Sequence, residues 1–245
     1  MYEINFTLAG IPVTACCRYE ETRTFLKDYL TSDPGVFTVE ISEEDITAEQ
    51  DRSDKEALLE GEEPQIFSLP YLETLALYRK LASRLPEYDT ILFHGSVIAM
   101  DNEGYLFTAK SGTGKSTHTA LWRQVFRDRV IMINDDKPLI RISDREVRVY
   151  GTPWDGKHHL STNTSVRLKA ICLLERGQEN HIEPVDPFRL YPMLLQQLFR
   201  PDDETAMKKV LELLDRLMGQ ISFYRLKCNM ESEAAITAWK GMNHE

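Results

Sequence analysis

Apolar and polar residues alternate through the first forty positions, which is the pattern of strands with one buried face. Residues 3–9 and 11–17 form a predicted hairpin around Gly10, and residues 36–41 form a further strand. A short helix is predicted over residues 22–30. A longer one is predicted over residues 69–85, where apolar side chains recur at helical spacing up to Pro86. The first part of the chain is therefore predicted to combine a small sheet with helices.

From residue 90 onward the pattern changes to many short strands. They are predicted at residues 91–94, 96–100, 104–109, 130–133, 139–142, 146–150, 168–175, 181–185 and 223–228. Turn residues join two pairs of them into predicted hairpins, around Asn102 and around Gly177. Helices are predicted from Ser116 to about Arg127 and over residues 187–199, 205–218 and 231–239.

Hairpins do not occur in a purely parallel sheet, so the predicted fold class is α/β with a mixed, partly antiparallel sheet and flanking helices. Residues 90–245 are predicted to form the core of this fold. Residues 1–89 are predicted to be an N-terminal α/β segment, either a separate module or part of the core.

A glycine-rich segment carries the strongest chemical signal. Residues 107–117 read Phe-Thr-Ala-Lys-Ser-Gly-Thr-Gly-Lys-Ser-Thr, a strand running into a loop and then a helix. Glycines allow successive backbone N–H groups to point inward, the helix adds its positive end, lysine reaches outer phosphates and serine can bind Mg²⁺. The segment is predicted to be a phosphate-binding loop (P-loop) with the nucleotide-binding residues Ser111, Gly112, Thr113, Gly114, Lys115, Ser116 and Thr117.

A pair of carboxylates follows the strand at residues 130–133. Strand ends are where open α/β sheets bind ligands, so Asp135 and Asp136 are candidates for the chemistry. One can bind Mg²⁺ together with Ser116, and the other can accept a proton from an attacking hydroxyl. Without the glycine-rich segment, the same pair would more simply indicate a turn or a helix cap.

Two further candidates are His94, which ends a strand, and Lys157, which lies in a loop stiffened by Pro153 and Trp154. His94 can act near the transferred phosphoryl group or be a structural histidine. Lys157 can supply positive charge, or its loop can be an ordinary turn anchored by Trp154. His118, one turn into the predicted helix, is expected to pack in the core.

The charge of the chain excludes one class of function. The net charge is −10, whereas a general nucleic-acid binder needs a basic face. Residues 43–63 hold ten acidic residues against Arg52 and Lys55, a sum of −8, so the remainder is near neutral. This acidic stretch is expected to be a solvated, partly mobile surface segment, with a docking face for a basic partner as the alternative.

The sequence contains no apolar run long enough to cross a membrane and no basic-then-apolar signal at its start. Its four cysteines show no metal-binding spacing, which is typical of a reducing environment. We therefore expect a cytoplasmic protein without a membrane or nucleic-acid partner, which can form homo-oligomers.

Taken together, the His94-Gly95 pair, the loop from Ser111 to Ser116 and the Asp135-Asp136 pair resemble the catalytic domain of HPr kinase/phosphorylase. The same elements are similar to part of the ATP-dependent phosphoenolpyruvate carboxykinases. Within that superfamily the chain looks most like the short HPr-kinase-like proteins, some of which accompany peptide-modifying gene sets. The resemblance covers about residues 90–185.

This resemblance implies a role for each matching residue. Lys115 would contact the β- and γ-phosphates of ATP, and Ser116 and Asp136 would hold Mg²⁺. Asp135 would be the general base towards a serine hydroxyl, with His94 close to the phosphoryl group. The implied fold is the HPr-kinase C-terminal-domain or carboxykinase type.

The sequence also departs from the family pattern. Ala109 and Thr117 replace a loop glycine and an acidic residue, and residues 151–157 take the place of a recognisable HPr-docking stretch. These departures argue against HPr itself as the substrate and against a phosphorylase half-reaction.

The expectation is therefore an ATP- and Mg²⁺-dependent kinase acting on a hydroxyl, with serine of a peptide or protein as the acceptor. A guanine-reading Asn-Lys-x-Asp sequence is absent, which favours ATP. The alternatives are a kinase of a small hydroxyl compound such as free serine, and a non-catalytic nucleotide-binding regulator.

Overall fold

The computed structural model describes residues 1–110 and 112–243, and the chain divides into two units, Met1–Arg84 and Leu85–Glu245. In the first unit, β1 (Tyr2–Leu8) and β2 (Ile11–Cys17) form an antiparallel hairpin, and β3 (Phe37–Glu40) lies parallel to β2. Between β2 and β3 lie α1 (Glu21–Phe25) and the 3-10 turn Lys27–Tyr29. The predicted hairpin and third strand are confirmed, and every second residue of β2 is buried as the alternation requires.

Most of the acidic stretch, which was expected to be a solvated, partly mobile surface segment, forms a regular helix, α2 (Glu43–Glu60), that no helix prediction covered. Ser42 and Asp45 form a reciprocal capping box at its start, and acidic residues in the first turn suit the positive end of the helix. Glu49 is buried and pairs with Arg52 and with Arg79 of α3 (Leu69–Arg84). Part of the negative charge of α2 is therefore neutralised by ion pairs within the first unit.

The second unit contains a mixed sheet. Its strands are β4 (Thr90–Leu92), β5 (Ser96–Met100), β6 (Glu103–Thr108), β7 (Val130–Asn134), β8 (Leu139–Ile142), β9 (Val147–Tyr150), β10 (Ser165–Arg176), β11 (His181–Pro184) and β12 (Ser222–Cys228). The strand order is β4-β8-β9-β10-β6-β5-β7, in which β10 and β6 are parallel and the other neighbours antiparallel. The predicted class, a mixed and partly antiparallel sheet with flanking helices, is confirmed.

One predicted hairpin is wrong. β10 and β11 do not pair with each other, because β12 lies between them, parallel to β10 and antiparallel to β11. β12 follows β11 only after two helices, so the pattern of neighbouring residues gave no sign of this insertion. The other predicted hairpin, β5–β6, is confirmed, with Asp101 and Asn102 at positive φ as a tight turn requires.

Helices cover both faces of this sheet. They are α4 (Lys115–Phe126), α5 (Pro187–Gln197), α6 (Glu204–Met218) and α7 (Glu233–Asn243). Val97 of β5 belongs to a core cluster with residues of α5 and α6, whereas Ile98 belongs to a second cluster with Trp122 of α4 and Ala238 of α7. Burial on both faces explains why β5 is buried throughout and is apolar from Val97 to Met100.

Candidate functional site

Four segments of the second unit meet around one cavity of about 450 Å³. They are the start of α4 with the glycine-rich loop before it, the turn after β7, His94 two residues after β4, and the loop after β9. The lining residues are His94, Gly112, Gly114, Lys115, Ser116, Thr117, Asp135, Asp136, Gly156, Lys157 and His158. Positive and negative side chains thus face the same space.

The glycine-rich loop has backbone angles that only glycine adopts easily. Gly112 has φ +72° and Gly114 has φ +118°, and Gly114 is the N-cap of α4. Gly114 has no side chain to cap the helix, so backbone N–H groups of the first turn remain available to an outside acceptor. The start of α4 is therefore suited to bind an anion.

Lys115 adds a charge at this helix start. Burial lowers the pKa of Lys115 below its ordinary value, and the nearby carboxylate of Asp136 acts against this shift. An ammonium group that has lost part of its water gains more from a bound anion than an exposed one does. Lys115 is thus placed to strengthen anion binding at the loop.

Asp136 lines the same cavity as Lys115 and is held by two side chains. Its Oδ1 atom lies 3.3 Å from His94 Nε2 and 3.3 Å from Lys137 Nζ. Burial raises the pKa of Asp136, but the hydrogen bond from His94 and the charge of Lys137 outweigh it and keep the pKa below its ordinary value. Asp136 is therefore ionised at neutral pH.

Asp135 has a different environment. Its side chain is 6% exposed, and its buried Oδ1 atom accepts no hydrogen bond from the part of the chain that the structure describes. Buried carboxylate oxygens normally have a partner, and an exception needs an explanation. An oxygen of this kind beside a cavity is available to a group that enters the cavity.

Asn134, which was not among the predicted site residues, shapes the turn that carries Asp135 and Asp136. Its Oδ1 atom accepts the backbone N–H groups of Asp136 (2.9 Å) and Lys137 (2.6 Å). Its Nδ2 atom donates to the carbonyl of Thr152 (3.0 Å), whose hydroxyl in turn donates to the Lys137 carbonyl (2.8 Å). The sequence signal was present, because asparagine commonly accepts backbone N–H groups two residues on.

Trp154 is buried and anchors the loop after β9, as the ordinary-turn alternative for this loop predicted. Gly156 has φ +74°, and a Cβ atom on it would lie 3.1 Å from the Cβ of Asp136, so this position packs directly on the carboxylate. Asp155 accepts a hydrogen bond from Ser161 at 2.9 Å and lies 3.2 Å from His159 Nδ1. Lys157, two residues after Asp155, lines the cavity.

The structure brings most of the predicted site residues together. His94, Lys115, Asp135, Asp136 and Lys157 share the cavity with Gly112, Gly114, Ser116 and Thr117. Thr113 lines a neighbouring cavity instead, and Ser111 lies outside the described residues. The chemical roles assigned to these residues stay predictions.

His118 packs in the core, as expected. It is 3% exposed, and its Nε2 atom accepts a hydrogen bond from Trp122 Nε1 at 3.0 Å. Burial lowers the pKa of His118 to about 4, so the ring is neutral at pH 7. Because Nε2 is an acceptor, the ring proton must be on Nδ1, a buried atom without a partner among the described residues.

This burial has a measurable effect on stability. The pKa of His118 falls from 6.5 to about 4 on folding, so the unfolded chain binds a proton first as the pH drops. We expect this residue to lower the free energy of unfolding by about 2 kcal/mol between pH 7 and pH 5. Urea titrations of the wild type and His118→Gln at both pH values measure the difference. Equal pH dependence of the two proteins would contradict the assignment.

The donors present fit Mg²⁺. The Ser116 hydroxyl and the ionised Asp136 carboxylate are oxygen ligands in the same cavity, and Mg²⁺ commonly uses one or two such ligands together with phosphate oxygens and water. Within residues 1–110 and 112–243, no cluster of three or more His, Cys, Asp or Glu side chains could hold a metal by itself. The site thus suits a metal that arrives with a phosphate compound.

Comparisons with known proteins give little beyond a partial likeness of fold. No protein-family model matches the chain, and no curated protein matches it. Among solved structures, the HPr(Ser) kinase/phosphatase from Coxiella burnetii matches over 62% of this chain and 95% of its own, with 12% identity and a TM-score of 0.35. Because these values are low, function has to be inferred from the residues of the cavity.

No helix in the described part of the chain is long and apolar enough to cross a bilayer.

Proposed function

We propose that the protein is an ATP- and Mg²⁺-dependent kinase that transfers the γ-phosphoryl group to a hydroxyl, with serine of a peptide or protein as the acceptor. The observation that carries the proposal is the pairing, in one cavity, of an anion-binding helix start with a buried carboxylate oxygen that has no partner among the described residues. The first can hold a polyphosphate and the second can accept a proton. Phosphoryl transfer to an alcohol needs both.

Each side chain has a stated task in this proposal. The loop N–H groups and Lys115 bind the phosphate oxygens, and Lys157 approaches the same space from the opposite loop. Ser116 and Asp136 would hold Mg²⁺, which neutralises phosphate charge when bound. His94 orients Asp136 through their 3.3 Å contact.

Asp135 acts as the general base. Its Oδ1 atom, which has no hydrogen-bond partner within residues 1–110 and 112–243, accepts the proton of the acceptor hydroxyl as the hydroxyl oxygen bonds to phosphorus and the bond from phosphorus to the ADP oxygen breaks. The products are ADP and a phosphate ester, and the proton stays on Asp135 until solvent removes it. The open side of the cavity, where His158 is exposed, gives a peptide access.

The test is transfer of label from γ-³²P-ATP with Mg²⁺ to a library of serine-containing peptides and, separately, to free serine. Lys115→Met is expected to lower the rate of transfer by about 10²–10³-fold, since it removes a charge that binds the transferred group. Lys110→Met removes a charge from the same loop at an exposed position outside the cavity and is the matched control.

Three results would contradict the proposal. Label on free serine but on no peptide would contradict the acceptor class. ATP binding without ADP formation with any acceptor would indicate a regulator and contradict catalysis. Equal rates in Lys115→Met and Lys110→Met would contradict the role of Lys115.

A further inference from the structure

A second cavity, of about 510 Å³, lies against the other side of the glycine-rich loop. Gly112, Gly114 and Thr117 line both cavities, so the loop is their common wall. The second cavity is otherwise formed by α4 and by the ends of β10 and β12. Its volume lies in the range of small-ligand sites.

The two cavities differ in chemistry. Charged groups dominate the first, whereas Leu121, Leu174, Cys228 and Met230 give the second an apolar lining. The carboxylate of Glu175 pairs with Arg225 at 3.1 Å, so its charge is compensated. A flat apolar ring would give up few favourable contacts with water on entering such a space. Sulfur atoms also make favourable contacts with aromatic rings.

Two polar side chains, Arg176 and His118, line the second cavity. Arg176 Nη2 donates to the Gly112 carbonyl at 2.6 Å, which ties the end of β10 to the loop. His118 lines the second cavity, and its Nδ1 proton has no acceptor among the described residues. Leaving a buried donor unpaired is costly, and a nitrogen or oxygen acceptor from a ligand would remove that cost.

We propose that the second cavity binds the base and ribose of the phosphoryl donor, a purine nucleoside triphosphate. The donor then runs from the apolar cavity across the N–H groups of the loop into the charged cavity. This direction places the γ-phosphate, the end remote from the base, beside Asp135. The inference rests on the proposed function. It adds that the base lies in the second cavity and the γ-phosphate in the first.

The test fills the second cavity and measures two ligands. Leu121→Trp places an indole in the cavity, and Gln124→Trp adds the same bulk at an exposed position of the same helix. Calorimetric titration uses Mg²⁺ with ATP and Mg²⁺ with inorganic tripolyphosphate as the probes. We expect Leu121→Trp to weaken ATP binding about tenfold and tripolyphosphate binding less than about twofold, with both unchanged in Gln124→Trp.

Unchanged ATP affinity in Leu121→Trp would overturn the nucleoside site but leave the kinase proposal standing. Failure of the wild type to bind either ligand would overturn both. Photolabelling of the wild type with 8-azido-ATP tests the site without a substitution that could impair folding. The label is expected on the tryptic peptides 116–123 and 228–240, and label confined to other peptides would overturn the inference.

Discussion

Replacing Asp135 by asparagine is expected to lower the rate of phosphoryl transfer by about 10²–10⁴-fold, the usual contribution of a general base. The amide has nearly the same size but cannot accept the proton from the acceptor hydroxyl. The phosphate oxygens are bound by the loop and Lys115, so ATP affinity is expected to change less than about threefold. Initial rates of ADP formation and calorimetric titration with ATP measure the two effects.

The melting temperature of Asp135→Asn provides a second measurement of the role of Asp135. Asp135 is 6% exposed and has a buried oxygen without a partner in the described part of the chain, which is an unfavourable position for a negative charge. Asp135→Asn is therefore expected to keep or raise the melting temperature, as is common where a site is built for chemistry. Asp128→Asn, at an exposed position, is the charge-matched control. A rate within threefold of the wild type would remove Asp135 as the base.

Local patterns predicted those parts of the fold that depend on neighbours in sequence. The β5–β6 turn is an example, because Asp101 and Asn102 adopt positive φ and their residue types permit it. The pairing of β11 with β12 depends on a segment that arrives only after α5 and α6. No short-range pattern encodes such a contact. The helix α2 was missed because its exposed face is charged and lacks an apolar stripe that would reveal it.

In the candidate site, too, residues defined by local spacing could be predicted and contacts between distant segments could not. Lys115 and Ser116 were found because their chemistry requires a fixed spacing from the loop glycines. Asn134 was not selected, although its contacts with the N–H groups of Asp136 and Lys137 follow a local pattern, and its contact with Thr152 lies outside any such pattern. The second cavity was beyond sequence reasoning, since its walls come from α4, β10 and β12.

Replacing Asn134 by alanine is expected to give the largest loss of stability among the substitutions considered. The side chain is fully buried, and its removal leaves two N–H groups, those of Asp136 and Lys137, and the Thr152 carbonyl without partners. Each unpaired buried group costs about 1–3 kcal/mol, partly recovered by relaxation, so we expect the free energy of unfolding to fall by about 3–5 kcal/mol. Urea unfolding at pH 7 measures it.

The same substitution separates positioning from chemistry. Asn134 does not line the cavity, so any loss of activity must come through the turn that carries Asp135 and Asp136. Thr152→Val removes one hydroxyl from this network but keeps both N–H bonds to Asn134. It is expected to cost about 1 kcal/mol and to leave the rate of the folded enzyme within threefold. A variant Asn134→Ala as stable and as active as Thr152→Val would show that the turn holds its shape without this side chain.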